Sequence, residues 1–171
     1  MPPLDYSEQD CDFNRRFRAA VGYCELGMWD DAWRELEEIA PEQRHFLEVL
    51  KLRVHILNAL KKWDAAATLA ESLIAKGIEN GSLYLDAAYA VRRARSLSEA
   101  NTLLLRGERL LEDEPMFHFN LACYACLLGD LTRAKQRLSR AIELDKKLDV
   151  TALDDEDLKE LWDSLAGTLE A

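Results

Sequence analysis

An internal period of 34 residues runs along most of this 171-residue chain and constrains its fold more than any other feature. Two series of small side chains recur in step: Ala20, Val54, Ala88 and Ala122, and then Ala32, Ala66, Ala100 and Ala134. An unbroken period of this length is typical of stacked helical repeats. We therefore predict four units, at residues 13–46, 47–80, 81–114 and 115–148.

Each unit has the pattern of two helices joined by a short turn. In the last unit, Pro115 suits the first turn of a helix, where its missing N–H has no partner to lose. Gly129 and Asp130 then supply the turn. In the third unit, Ser96 and Glu99 have the spacing of a capping box. Because a single helix pair cannot bury its apolar face alone, neighbouring units are expected to stack in one domain over residues 1–171.

The charge and hydropathy of the chain indicate which classes of partner and which cellular location to expect. The net charge is −10 and the pI about 4.8, so the chain repels phosphate backbones and we expect no nucleic-acid partner. No apolar run approaches the 18 or more residues that span a bilayer, so no membrane association is expected. The first residues lack the basic start and apolar run of a secretory signal. We therefore expect a cytoplasmic protein in which the four cysteines are thiols.

A further helix is predicted after the fourth unit, at about residues 154–168. Asp154 and Asp155 suit a helix start, and Leu158, Leu161, Trp162 and Leu165 follow at helical spacing. We interpret this helix as a cap on the last unit, with a docking stripe for a partner as the alternative. The acidic run at residues 154–157 is expected to form a solvated face.

The period, the helix–turn–helix layout and the segment NLACYACLLGDLTRAKQRLSRAIELD resemble tetratricopeptide repeats. The resemblance covers residues 13 to 148. It implies an all-α fold, a right-handed superhelical array of helix–turn–helix repeats with a C-terminal capping helix. Lys61 and Arg95 stand where the family usually has a turn glycine, and Gly107 replaces an apolar residue late in a helix.

The resemblance also implies a non-enzymatic adaptor or scaffold that binds a peptide or a partner helix on its concave side. That side is lined by the first helix of each unit. Helical spacing assigns these residues to it: Phe17, Arg18, Val21, Lys51, His55, Asn58, Leu85, Tyr89, Arg92, Phe119, Asn120 and Cys123. The lining mixes aromatic, apolar and cationic groups, which suits a peptide with hydrophobic anchors and some negative charge. A monomer or weak homodimer without a cofactor is expected.

Cys123 and Cys126 raise an alternative, a metal or redox site. They lie one turn apart on a predicted helix, but a zinc site needs two more ligands. His118 lies five residues before Cys123, about 140° around the helix axis. Redox pairs usually stand at a helix start, where the dipole lowers the thiol pKa, whereas this pair is in the middle of a helix. We therefore predict that the cysteines pack and line the groove.

Two other roles are weighed within the same family. The size and acidity are similar to the tetratricopeptide chaperones of bacterial type III secretion, which hold translocator proteins before export. Other members clamp the acidic C-terminal tails of heat-shock chaperones with Lys, Asn and Arg side chains. Here Phe17 and Val21 occupy the corresponding first-unit positions, and His55 replaces an Asn in the second. We therefore predict no such clamp.

Overall fold

Every regular element among residues 8–163, the residues that the structure describes, is helical. The structure is a computed structural model, with side chains described from residue 11 onward. The chain divides into two compact units, residues 1–78 and 79–171. The described helices confirm the predicted all-α class.

The first unit contains four α-helices and a short 3-10 turn. These elements are α1 (Glu8–Glu25), α2 (Trp29–Glu37), the turn Pro41–Gln43, α3 (Leu47–Ala59) and α4 (Trp63–Ala75). Helix α1 packs on α2, and α3 packs on α4. The core of this unit includes Ala20, Ala32, Leu36 and Ile39, with aromatic side chains packed around it.

The second unit continues the same pattern of paired helices. Its elements are α5 (Gly81–Ala94), α6 (Leu97–Arg106), α7 (Glu108–Leu111), α8 (Pro115–Leu127), α9 (Leu131–Leu144), α10 (Leu148–Leu153) and the 3-10 turn Glu156–Leu158. Helix α5 packs on α6, and α8 packs on α9. Helices α3, α5 and α8 begin 34 residues apart, at Leu47, Gly81 and Pro115. The four-unit, single-domain organisation stays a prediction.

The repeated small residues occupy equivalent positions in the helix pairs. All eight members of the two series are completely buried, among them Ala32 and Ala66 on the second helices and Ala20 and Ala88 on the first. A side chain no larger than alanine lets two helix backbones approach closely, and neighbouring leucines fill the remaining space. The 34-residue period is therefore a period of close contacts between helices.

The turns inside the helix pairs show how two departures from the family pattern are accommodated. Gly27 and Gly129 adopt a left-handed conformation, with φ of 71° and 81°. Lys61 adopts the same conformation with φ of 59°, and its N–H donates to the carbonyl of Asn58 at 3.0 Å, as a C-cap glycine would. Arg95 does not adopt the left-handed conformation. Helix α5 ends just before this residue, which has φ of −133°, and Ser96 caps α6 directly.

Gly107 has a steric reason to lack a side chain. It separates α6 from α7, and a Cβ built at this position would lie 2.7 Å from Cγ of Tyr84 and 2.9 Å from its Cβ. No real Cβ approaches so closely, so the ring of Tyr84 excludes any larger residue here. Where the family usually has an apolar side chain, the backbone of Gly107 packs directly on the ring of Tyr84.

The segment after α9 differs from the single predicted helix at residues 154–168. The additional helix α10 ends at Leu153, and the 3-10 turn Glu156–Leu158 follows. Asp155 caps this turn, because its Oδ1 accepts a hydrogen bond from the N–H of Asp157 at 2.9 Å. An α-helix then begins at residue 159 and continues to 163, and residues 164–168 lie outside the described part of the chain. Trp162 donates from Nε1 to the carbonyl of Ala152 at 2.9 Å, which ties this helix to α10.

None of the helices within residues 8–163 is both long and apolar enough to span a bilayer.

The close contact at the alanine positions can be tested with two neighbouring alanines of α4. Ala66 is completely buried, whereas Ala65 is exposed. We expect Ala66→Leu to lower the free energy of unfolding by about 1–3 kcal/mol, because three extra carbons must force the helices apart. Ala65→Leu is expected to change it by less than about 0.5 kcal/mol. Urea unfolding followed by circular dichroism measures both, and equal effects would contradict the assignment.

The left-handed turn residue gives a second prediction. We expect Lys61→Gly to raise the free energy of unfolding by about 1 kcal/mol, since a non-glycine residue is strained at positive φ. Lys62→Gly is the matched control, because Lys62 is also exposed but has a φ of −87°. That change is expected to be neutral or destabilising. A destabilised Lys61→Gly variant would show that the turn does not have this conformation.

Candidate functional site

The twelve predicted groove residues fall in both units, so we describe them as two faces. The N-terminal face consists of six residues on α1 and α3, which contact each other: Phe17, Arg18, Val21, Lys51, His55 and Asn58. The C-terminal face consists of six residues on α5 and α8: Leu85, Tyr89, Arg92, Phe119, Asn120 and Cys123. Each face is described by itself.

On the α1 side of the N-terminal face, apolar residues support an exposed cation. Phe17 is half-buried and packs against the core of its unit, with its ring stacked on Phe13 at a centroid distance of 5.9 Å. Val21 is also half-buried, and Arg18 is exposed. This side therefore presents a guanidinium beside partly covered apolar surface.

On the α3 side, the three residues differ in accessibility. His55 is exposed, and its ring meets that of Trp29 edge to face at 5.7 Å. Lys51 is half-buried, whereas Asn58 is buried. The accessible polar groups of this face are thus the imidazole of His55, the ammonium of Lys51 and the guanidinium of Arg18. Asn58 is buried and would contact a ligand only if the face opened.

On the α5 side of the C-terminal face, a tyrosine and two arginines form a cationic and aromatic edge. Tyr89 is 42% exposed, and the guanidinium of Arg93 lies 3.9 Å from the centre of its ring. Arg92 lies 5.5 Å from the ring centre of Tyr124 on α8, which links the two helices. Leu85 is half-buried. Cations above aromatic rings are held in place while they keep their donors for an acidic group.

On the α8 side, the predicted groove residues are covered. Phe119 is 4% exposed and Cys123 is 3% exposed, while Asn120 is half-buried. Residues 154–163, which we call the C-terminal segment, lie over Cys123, because carboxylates of Asp155 and Asp157 are near its thiol and the 3-10 turn Glu156–Leu158 packs on α8. In this structure the chain's own residues therefore occupy the part of the C-terminal face around Arg92 and Cys123.

A bidentate ion pair holds the C-terminal segment to α5. Nη1 and Nη2 of Arg92 donate to the two carboxylate oxygens of Asp157 at 2.6 and 2.9 Å. This hydrogen-bonded pairing raises the pKa of Arg92, although burial acts in the opposite direction. The side chains are 27% and 26% exposed, so solvent screens the pair and limits its contribution to about 1 kcal/mol.

Two leucines of the same segment are more deeply buried than the ion pair. Leu158 is completely buried and Leu161 is 2% exposed. Full burial of a leucine side chain contributes about 1.5–3 kcal/mol relative to exposure. The two leucines together therefore outweigh the ion pair, and we assign the affinity of the segment to the leucines and its orientation to Arg92.

The segment also determines the chemistry of the two cysteines. A thiol sulfur of Cys123 and carboxylate oxygens of Asp155 and Asp157 lie within 4.8 Å of one another. Burial raises the pKa of Cys123 strongly, and both carboxylates raise it further, while Arg92 lowers it. The pKa of Cys126 is also raised by burial, against hydrogen bonds from the backbone at Leu161 and Glu160.

These surroundings disfavour the metal and redox alternative. A cysteine binds metal or attacks as its thiolate, and a raised pKa keeps both thiols protonated near neutral pH. Asp157 is engaged by Arg92, and Asp155 caps the turn that contains Asp157. The pKa of the neighbouring Tyr124 is raised to about 12, mainly by burial, so its hydroxyl also stays protonated near neutral pH.

His118 has a structural role on the opposite side of α8. It is buried, with Nε2 donating to the carbonyl of Glu112 at 2.9 Å and Nδ1 accepting from Arg137 at 3.2 Å. Both ring nitrogens are thus engaged away from Cys123, as the helical geometry predicts.

The sequence did not indicate Asp157 as a site residue. The acidic run at residues 154–157 has the composition of a solvated face, and Asp157 pairs with a residue 65 positions earlier. No local pattern reports so distant a contact. The one available signal was the surplus of cations on α5, which favours an acidic partner.

The buried thiol gives a prediction for the pH dependence of stability. Because the pKa of Cys123 is raised in the folded chain, the folded state keeps this proton above the ordinary thiol pKa of about 8.5, where the unfolded state loses it. Stability that is present below that pH is therefore lost as the pH rises, by about 1.4 kcal/mol per pH unit for this group. The free energy of unfolding of Cys123→Ala should therefore fall less steeply with pH than that of the unsubstituted protein, by this amount.

Urea unfolding between pH 8 and 10.5, with a reducing agent present, measures the difference in slope. Cys11→Ala is the matched control, because Cys11 is exposed in the folded chain. That variant is expected to keep the original slope. Parallel curves for Cys123→Ala and the unsubstituted protein would show that folding does not raise the pKa of Cys123.

Comparisons with known proteins agree with this geometry at the level of the fold. No model of a known protein family matches the chain, and no curated protein matches its sequence. Among solved structures, the chain is similar to a thermophilic TPR protein of Thermus thermophilus, with a TM-score of 0.71 and 21% identity over 92% of this chain and 90% of that one. It is also similar to a double mutant of MamA, RS-1 ArsTM, with a TM-score of 0.69 and 15% identity over 84% of this chain and 79% of that one.

A third similar structure is MamA MSR-1 C2, with a TM-score of 0.64 and 18% identity over 83% of this chain and 82% of that one. At such low identity the likeness concerns the path of the chain and not its partners. It confirms the expectation drawn from the 34-residue period: this chain has the helical-repeat fold of TPR proteins.

Proposed function

We propose that the protein is a non-enzymatic interaction module, an adaptor or scaffold in the cytoplasm, that binds a peptide or a partner helix on the first-helix faces of its repeats. The observation that carries this proposal is the occupied C-terminal face. A short peptide segment with acidic and leucine side chains is held there by Arg92 and by packing on α8. A surface that binds such a segment within the chain has the chemistry to bind one from a partner.

The accessible groups of the N-terminal face support the same role. Arg18 and His55 are exposed and Lys51 is half-buried, beside the partly covered rings of Phe17 and Trp29. Cations next to apolar surface suit a peptide with hydrophobic anchors and some negative charge. The net charge of the whole chain is −10, which disfavours nucleic acid as a partner.

The side chains of the two faces do not favour catalysis. Two thiols lie under the C-terminal segment, Cys123 of the C-terminal face and Cys126 one turn later, and burial raises the pKa of both. Among the described residues, the contact of His55 is with the ring of Trp29, whereas a base or a relay needs a carboxylate or hydroxyl partner. We therefore propose binding without turnover, by a monomer or weak homodimer.

The proposal is tested by selecting ligands from a random peptide library displayed on phage and measuring their affinity by fluorescence anisotropy. We expect Lys51→Glu and Tyr89→Ala to weaken the selected peptides tenfold or more, since each removes an anchor from a face. Lys62→Glu is the matched control for charge in the same unit, because Lys62 is exposed in the turn after α3. It should leave the affinities unchanged.

Selected peptides that bind all four proteins equally would contradict the assignment of binding to these faces. Thermal unfolding of each variant accompanies the titrations, so that a loss of affinity is read only from a folded protein.

A further inference from the structure

We infer that residues 155–161 are an internal ligand of the C-terminal face, and that the partner of this face carries the same pattern, Asp-x-Asp-Leu-x-x-Leu, at the start of an amphipathic helix. The inference rests on the proposed function and specifies it further: it names the chemistry of the ligand and a mechanism that restricts access to it. Three features of the segment carry it.

The first feature is recognition of a carboxylate by shape. Arg92 engages Asp157 with two nitrogens on two oxygens, an arrangement that matches a planar carboxylate and that a single donor cannot reproduce. Arg92 is itself positioned by the ring of Tyr124. A ligand of this face must therefore present a carboxylate at the position of Asp157.

The second feature is a pair of apolar anchors. Leu158 follows the carboxylate directly and Leu161 lies three residues later, so both point to one side of the helical turn. Both are buried, and the 3-10 turn that contains Leu158 packs on α8, where Phe119, Cys123 and Cys126 are covered. Because both positions are buried, a charged residue at either one would lose its hydration without a partner and is disfavoured.

The third feature is a helix start built into the segment. Asp155 accepts a hydrogen bond from the N–H of Asp157, and the α-helix begins at residue 159. An aspartate at this position also favours helix formation through the helix dipole. A partner with the pattern Asp-x-Asp-Leu-x-x-Leu would thus enter the face as a helix N-terminus, with its acidic groups toward Arg92.

The attachment of the segment can be reversed. Residues 154–155 are non-helical, so the segment is joined to α10 through a short irregular link. Its ion pair is partly exposed to solvent, and among its described residues Leu158 and Leu161 are the buried apolar side chains. A segment tethered this closely has an effective concentration in the millimolar range, so it excludes an external peptide of equal intrinsic affinity.

The test uses the full chain and a fluorescent peptide with the sequence of residues 154–163, DDEDLKELWD. The opened variant carries Asp157→Lys and Leu161→Ser, which removes one charge contact and one anchor from the segment but leaves the face intact. We expect the opened variant to bind the peptide at least tenfold more tightly than the unsubstituted protein, since an intrinsic dissociation constant of about 100 μM competes with a tether of about 1 mM.

Two controls make the result specific. Adding Arg92→Glu to the opened variant should weaken binding about tenfold, because the ion pair is lost and the new carboxylate repels that of the peptide's aspartate. A scrambled peptide of the same composition should not bind. Asp157→Asn alone, a nearly isosteric change, should give a smaller increase in the same direction. That variant keeps the test valid if the double variant does not fold.

Thiol reactivity provides a second readout that does not depend on the peptide's label. In a chain with Cys11→Ser and Cys24→Ser, the remaining Cys123 and Cys126 are buried in the presence of the segment. Ellman's reagent should react with them tenfold or more faster in the opened variant, and saturating unlabelled peptide should restore the protection.

Equal affinity of the opened and unsubstituted proteins for the peptide, or no binding to either at 1 mM, would overturn the inference. If Lys51→Glu and Tyr89→Ala still weaken the binding of library peptides, the proposed function stands even though this inference is wrong. Failure of the library experiment together with a positive result here would instead confine binding to the internal segment.

Discussion

The close approach of paired helices at small residues is the constraint on which the remaining structure depends. Alanines at positions such as Ala32 and Ala100 are completely buried, so any larger side chain would separate the helices that they join. Once the backbones are this close, the first helix of each pair has a fixed position relative to its second helix. Side chains on a first helix, such as Lys51 and His55 on α3, are thereby held at fixed positions within their unit.

The same principle explains the local exceptions. A turn without glycine is tolerated where the residue is exposed and can take a left-handed conformation, as Lys61 does. A glycine is required between two helices where a ring occupies the space of its side chain, as Tyr84 does beside Gly107. In both cases the backbone keeps the path of the repeat, although the residue departs from the usual sequence pattern of the family.

The fold could be predicted from the sequence because it is encoded by local and periodic features. The series that contains Ala20 and Ala88 reports close packing through its spacing alone, and Pro115 marks a helix start by its own chemistry. The state of the C-terminal face could not be predicted, because Arg92 and Asp157 are 65 residues apart and meet only after the chain has folded. Residues such as Phe119 and Cys123 were assigned to a groove by helical spacing, which reports direction on a helix but not what lies above it.

The partial exposure of the Arg92–Asp157 pair has a consequence for how the C-terminal face responds to ionic strength. Mobile ions at physiological concentration screen exposed charges beyond about 8 Å and weaken partly exposed pairs at shorter range, whereas burial of leucine is little affected by them. Low salt therefore favours ligands whose affinity depends on an acidic side chain. High salt favours ligands whose affinity depends on apolar side chains. The partly exposed guanidinium of Arg92 thus makes the selectivity of this face, and not only its affinity, depend on the salt concentration.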